Sequence, residues 1–270
     1  MDTYLQANQK LWDQWTIEHE TSPFYDLVGF RAGRDRLRSI ELSELGNVSG
    51  KSLLHLQCHF GLDTLAWARR GAIVTGVDLS EKSIGLARSL SQELNIPAQF
   101  LCSDIYELTD HLSGEFDIVF TSYGVLHWLR DLPPWGQIIA HFLKPNGIFY
   151  IVEDHPTFRM FTTEAESNIR LANPYFFSET PEQVEMKGSY ATANQGETAS
   201  FYIWNHSLGQ VINALIEAGL TIEFLHEFPY AARAKFPFME QGPDGWWRLP
   251  PSYVQLPFLF SFQARKSRLG

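Results

Sequence analysis

Apolar positions along the chain follow two alternating periods. Short runs apolar on both faces, at 52–58, 72–77, 98–102, 116–121 and 148–153, read as strands. Between them lie stripes of helical period. Segment 63–70 is closed by Gly71; Ile84, Ala87, Leu90 and Leu94 form a stripe behind the N-cap Ser80; segment 135–143 ends at the turn of Pro145 and Gly147. Ahead of the first strand, 4–19 places Leu5, Trp12 and Trp15 near one helical face, and 34–45 carries Leu37, Ile40 and Leu45 inward before Gly46. From 154 to 204 no clear period survives, but aromatics are frequent, among them Phe158, Tyr175, Tyr190, Phe201 and Trp204. A regular helix at 206–218 follows, then strand six at 220–228 and strand seven near 256–264.

Alternating strands and helices followed by a last pair of strands predict an α/β fold. The sheet is expected to be doubly wound and mostly parallel, seven-stranded, with one antiparallel strand. Residues 1–50 read as a helical cover, 51–153 as a ligand-binding core, 154–205 as an aromatic insertion or lid, and 206–270 as the segment that completes the sheet within one compact domain. At 270 residues the chain is long enough to bury such a core.

The stretch 52–78 organises the rest. It reads strand, turn, helix, strand, and such a crossover leaves the turn under a helix N-terminus, where backbone N–H groups face a ligand. Asp78, at the tip of the second strand and about 20 residues past the turn, is placed to accept from ribose hydroxyls.

Charge and composition narrow the choice. A net charge of −10 argues against a phosphate-binding face for nucleic acid. Arg31, Arg34, Arg36 and Arg38 are the one basic cluster, read as a solvated helix face. Mean hydropathy is −0.17 and no apolar run approaches the ~20 residues of a membrane helix. The N-terminus lacks a basic start and an apolar stretch of the signal-peptide kind, so the expectation is a cytoplasmic protein. Cys58 and Cys102 end the first and third strands, which a strand separates, and no disulfide is expected between them.

The turn Gln57-Cys58-His59-Phe60-Gly61-Leu62 does not supply the G-x-G-x-x-G of dinucleotide binding, and no G-x-x-x-x-G-K-[ST] occurs. The order of signals resembles instead the class I S-adenosylmethionine-dependent methyltransferases. LLHLQCHFG stands where that family has roughly hhDhGxGxG, so His55 replaces the usual acid, Gln57 and His59 replace two glycines, and Gly61 is kept. GVDLS, CSDIYEL, FDIVFTSYGVLHWL and LKPNGIFYIVE then match the later motifs in order. LHLQCHFGLDTL, with PYFF, GSYA and WNHSLG, also resembles a bacterial subgroup of these enzymes.

The resemblance implies a Rossmann-like methyltransferase fold, S-adenosylmethionine as cofactor and methyl transfer to a small-molecule acceptor. It implies that Asp78 holds the ribose, that Asp104 accepts from the adenine amino group with the Ile105 N–H beside it, and that Gln57, Cys58, His59 and Gly61 line the methionine end. Leu79 and Ser122 complete the expected cofactor set. Gln57 is expected at negative φ, because a side chain in the left-handed region costs ~1–2 kcal/mol. His55, Cys58 and His59 are spaced like metal ligands, but strand alternation turns neighbours to opposite faces and a fourth ligand is missing, so no metal is expected.

A base is needed only for a hydroxyl or protonated amine acceptor. Tyr123, His127 and Glu153, with His155, end strands four and five over the cofactor; Tyr25 and His19 reach from the cover, and sequence singles out none. A pocket lidded by apolar residues favours a small molecule over nucleic acid, and no NPPY-like motif supports base methylation. Two other readings stay open: a non-catalytic module binding S-adenosylmethionine or S-adenosylhomocysteine, and an NAD-dependent oxidoreductase on the same general fold.

Overall fold

The computed structural model describes residues 2–162, 168–192 and 196–267. Asp2 starts the first helix, α1 (Thr3–Glu20), by accepting from the Leu5 N–H. Two short helices follow where one was expected: α2 (Leu27–Arg31) and α3 (Ser39–Leu45). Gly33, at φ +96°, breaks the path, and α3 begins only where the Glu41 carboxylate accepts from the Arg38 N–H at 2.6 Å. The four arginines therefore share no helix face. Arg31 pairs with Glu93 and Arg34 with Asp26, whereas Arg36 lies over Tyr25 and Arg38 lies 4.9 Å from the Trp246 ring.

The sheet and its crossovers then run in order: β1 (Ser52–Leu56), α4 (Leu62–Arg69), β2 (Ile73–Asp78), α5 (Glu81–Glu93), β3 (Gln99–Cys102), α6 (Leu108–His111), β4 (Phe116–Ser122), α7 (Leu132–Phe142) and β5 (Leu143–Asp154). After α8 (Pro156–Met160), a hairpin of β6 (Glu182–Lys187) and β7 (Thr198–Ile203) stands off the sheet. The chain returns through α9 (Leu208–Glu217) and β8 (Leu220–Phe228), makes three two-residue strands, β9 (Tyr230–Ala231), β10 (Glu240–Gln241) and β11 (Trp247–Arg248), and ends on β12 (Leu259–Lys266).

Strand order is β3-β2-β1-β4-β5-β12-β8, parallel except for β12, which runs antiparallel to both neighbours. The expected seven-stranded sheet is present with its one antiparallel strand. Alternation along each strand feeds two apolar layers. Leu53, Phe120 and Tyr150 meet α3, α4 and α5 on one face, while Leu54, Val119 and Phe149 meet α7 and α9 on the other.

Parallel pairing brings the ends of the first five strands to one edge: Asp78 registers with Cys102, and Ser122 with Val152. Two layers cover that edge. In one, α1 packs Leu11 and Trp15 on Phe201 and Ile203 of β7. The Asn8 amide extends this join by bonding both backbone groups of Tyr202, at 2.7 and 2.9 Å. In the other, Phe158 of α8 joins Phe236, Met239, Leu249 and Phe258 from the C-terminal loop. Cys58 and Cys102 are free thiols. Among the described residues no helix is long and apolar enough to cross a membrane.

Candidate active site

The turn after β1 is built differently from the expectation. Gln57 adopts φ +56° and His59 φ +51°, both left-handed, so the negative φ expected for Gln57 is wrong. Each strained residue has a partner outside the turn. The Gln57 amide donates to the Val125 carbonyl at 3.1 Å, bridging to the loop after β4. The His59 ring lies between Ser83 Oγ at 2.9 Å and His19 Nδ1 at 3.0 Å, and His19 reaches on to Ser189 Oγ at 3.0 Å. Burial holds both imidazoles well below the usual histidine range, so they are neutral and their tautomers must be complementary. Gly61 is also left-handed, at φ +76°, and a Cβ there would stand 2.6 Å from the Phe100 ring. Of the three glycine-type positions, only this one is closed to a side chain by packing.

Asp78 sits at the β2 tip with its carboxylate gripped on both sides. Oδ2 accepts from the His59 N–H at 2.7 Å and Oδ1 from the Ser80 N–H at 2.9 Å. Burial pushes its carboxyl up to about 6. Leu79 presents its carbonyl to the Gln9 amide of α1, and Cys58 is buried with its N–H on the Val77 carbonyl. At the next tip, Asp104 Oδ1 accepts from the Tyr106 N–H, with Ile105 buried beside it. Both acids keep acceptor capacity beyond these bonds. His55 lies within β1 instead, bonded to Thr64 Oγ1 at 2.8 Å and pushed down to about 3 by burial.

Sequence reasoning missed one pair. Asp63, at the start of α4, accepts from Ser122 Oγ at 3.2 Å and stands 4.0 Å from Arg36. A loosely joined acid and base thus flank the turn.

Over β4 and β5, the candidate bases separate. Glu153 is buried, lines the same chamber as His127, and its oxygens accept from the N–H groups of Gly124, Val125, Leu126 and Asp154. Burial and the adjoining Asp154 push its carboxyl upward against the pull of those donors. The Tyr123 hydroxyl donates to Glu41 at 2.8 Å, away from any acceptor, on a residue at φ +41°. His155 is held by Thr157 and lies 2.9 Å from Glu227; the Tyr25 hydroxyl bonds Tyr190. The ring nitrogens of His127 have no hydrogen-bond partner among the described residues. His127 lines a chamber with Asp154, Arg159, Trp204 and His206, and burial with nearby positive charge holds it well below the usual range, in its neutral form.

A family model described as a methyltransferase domain matches residues 54–151, the stretch from β1 to β5 that carries this edge. Over these residues the chain is similar to a methyltransferase domain. The chain is 28% identical to the ubiquinone biosynthesis O-methyltransferase of Chromobacterium violaceum over 54% of its own length and 59% of the relative's. It is 33% identical over 46% of this chain and 56% of the relative to an uncharacterized methyltransferase of Synechocystis sp.. The chain thus spans little more than half the length of these curated relatives. Among solved structures, an S-adenosylmethionine dependent methyltransferase from Mesorhizobium loti superposes with a TM-score of 0.60 at 22% identity, covering 83% of this chain and 94% of that one. That likeness extends the methyltransferase fold beyond the matched domain.

Proposed function

We propose that the chain transfers the methyl group of S-adenosylmethionine to a small-molecule acceptor. The observation that carries this is the Asp78 carboxylate, aimed by two backbone N–H groups at the edge where Asp104 ends the next strand. The donor set suits this cofactor: acids for ribose hydroxyls and the adenine amino group, a turn with no phosphate-binding lysine, and the Asp63 and Arg36 pair for the ammonium and carboxylate of the methionine end. A subgroup defined by LHLQCHFG accounts for the two left-handed side chains, because Gln57 and His59 each serve a contact that glycine could not make.

When bound, the cofactor would supply an electrophilic methyl on its sulfonium, which the acceptor takes in line while the bonding pair stays on the departing thioether sulfur. The protein's part is alignment and exclusion of water. Glu153 fixes the loop after β4 through its backbone bonds and so positions His127 over the edge. His127, neutral and without a hydrogen-bond partner among the described residues, takes the proton of a hydroxyl acceptor as the new bond forms, or that of an ammonium acceptor before its freed lone pair attacks. The cover formed by α1 and the β6–β7 hairpin favours a small acceptor over a polymer.

Incubation of the protein with methyl-labelled S-adenosylmethionine and a library of small phenols, amines and acids tests the proposal. Label transferred to an acceptor, with loss of at least tenfold in His127→Asn, is the expected result. Cofactor binding with no transfer to any acceptor would favour the non-catalytic module.

A further inference from the structure

Outside the cofactor edge, the cover concentrates half-buried cations. Arg159, Arg233 and Lys235 meet around Phe158: the Arg233 guanidinium is 5.1 Å and Lys235 Nζ 4.9 Å from the ring centroid, and Arg159 follows Phe158 on α8. Asp154 answers one of them, bonding Arg233 at 2.8 Å. Arg159 donates from Nε to the neutral Asn205 at 3.3 Å, and among the described residues neither Arg159 nor Lys235 has a carboxylate in ion-pair contact. Glu182 acts on both only at longer range. Burial, then Arg159 and Arg233, push Lys235 down to about 8.

Such a cluster is costly to keep. A half-buried cation without a counter-ion still loses part of its hydration, so a merely structural group would normally be paired. Other polar atoms here are also unsatisfied: Trp204 Nε1 and Asp154 Oδ1 are buried without partners, and both residues line the chamber with Arg159 and His127.

We propose that Arg159, with the Trp204 indole N–H in the same chamber and Lys235 beside the adjoining Phe158, binds a carboxylate carried by the acceptor. Calling the ligand an acceptor rests on the methyl-transfer reading; the anion site itself does not. Among the described residues the three cations face Asp154, Glu182 and Glu153, and none of these acids is in ion-pair contact with Arg159 or Lys235. An Arg fork, a Lys point charge and an indole N–H supply the donors that two carboxylate oxygens accept. Leu126, Pro156 and Trp204 of the chamber lining add an apolar wall for the body of the ligand.

Calorimetric titration of the full chain with benzoate, its neutral isostere benzamide and phenyl phosphate, each with and without S-adenosylhomocysteine, tests this. Benzoate is expected to bind at least tenfold more tightly than benzamide. Lys235→Met and Arg159→Gln should each abolish that preference, Lys235→Arg should keep it, and all three should hold S-adenosylhomocysteine as the unmodified protein does. The benzoate to benzamide ratio in the unmodified protein decides the matter even if a variant fails to fold. Equal binding of acid and amide, or no detectable benzoate binding, would overturn the proposal, and tighter binding of phenyl phosphate would overturn the carboxylate assignment. Benzoate preference without S-adenosylhomocysteine binding would remove the methyl-transfer reading and leave the anion site standing.

Discussion

At the level of single residues, the turn after β1 shows why a sequence motif and its backbone are different kinds of information. A side chain at left-handed φ costs ~1–2 kcal/mol, which argued for negative φ at Gln57. That cost is outweighed by contacts to residues far along the chain: Val125 for Gln57, and His19 and Ser83 for His59. Propensity is local, and these partners are not. Gln57→Gly should therefore be close to neutral, within ~1 kcal/mol in denaturant unfolding, because relief of strain offsets one lost hydrogen bond. Gly61→Ala should cost ~2–4 kcal/mol, since it adds a strained φ to a clash with Phe100. Equal stability of the two variants would show that packing does not single out the third position.

Asp78 adds a pH dependence at the same scale. Its carboxyl is pushed up to about 6, and only the ionised form can accept both ribose hydroxyls while keeping its two N–H bonds. Protonation below about 6 thus competes with the cofactor. Affinity for S-adenosylhomocysteine is expected to rise as pH increases through 6 and to fall about tenfold between pH 7 and pH 5. A flat profile over that range would show that Asp78 is not the ribose ligand.

Among the elements, what the sequence made legible was what periodicity governs. The seven strands of the main sheet and the main helices stand within a few residues of the positions read from apolar spacing, because each buries a face whose period the residues themselves record, whereas β6 and β7 lie in the stretch read as having no period. The break between α2 and α3 was not legible in this way. It depends on the backbone at Gly33 and on one bond from Arg38 to Glu41. Nor were the roles of Arg36 and Asp63, which look like an ordinary loop base and a first-turn acid until the fold brings them within 4.0 Å.

The loop after β4 supports a prediction at this scale. Glu153→Gln replaces an acceptor oxygen with an NH2 that faces backbone N–H donors, so the loop should loosen and the fold lose ~1–3 kcal/mol. Because that loop presents His127, turnover should fall more than cofactor affinity. A variant that kept full turnover would remove Glu153 from the positioning role. The other support of the cover is α1, whose Trp15 is buried and donates to the Gly188 carbonyl at 3.0 Å. Trp15→Ala should cost ~3–5 kcal/mol in unfolding.

Over the whole molecule, the sheet brings its chemistry to one edge and the two cover layers close over it from different parts of the chain. The histidine contact between α1 and the β1 turn continues to Ser189 beyond β6, so cofactor turn, N-terminal helix and insertion are tied through adjoining side chains. The cationic cluster could not be read from sequence, since Arg159 sits on the short α8 and Lys235 in the loop after β9, and the two meet only through the cover.

The most direct test of this account is calorimetric titration of the purified protein and of Asp78→Ala with S-adenosylmethionine and S-adenosylhomocysteine, with NAD as control. The account predicts micromolar binding of the first two, none of NAD, and a loss of ~1–3 kcal/mol in the variant, as expected when buried polar partners are left unpaired. Binding of NAD, or affinity unchanged by the loss of Asp78, would contradict it.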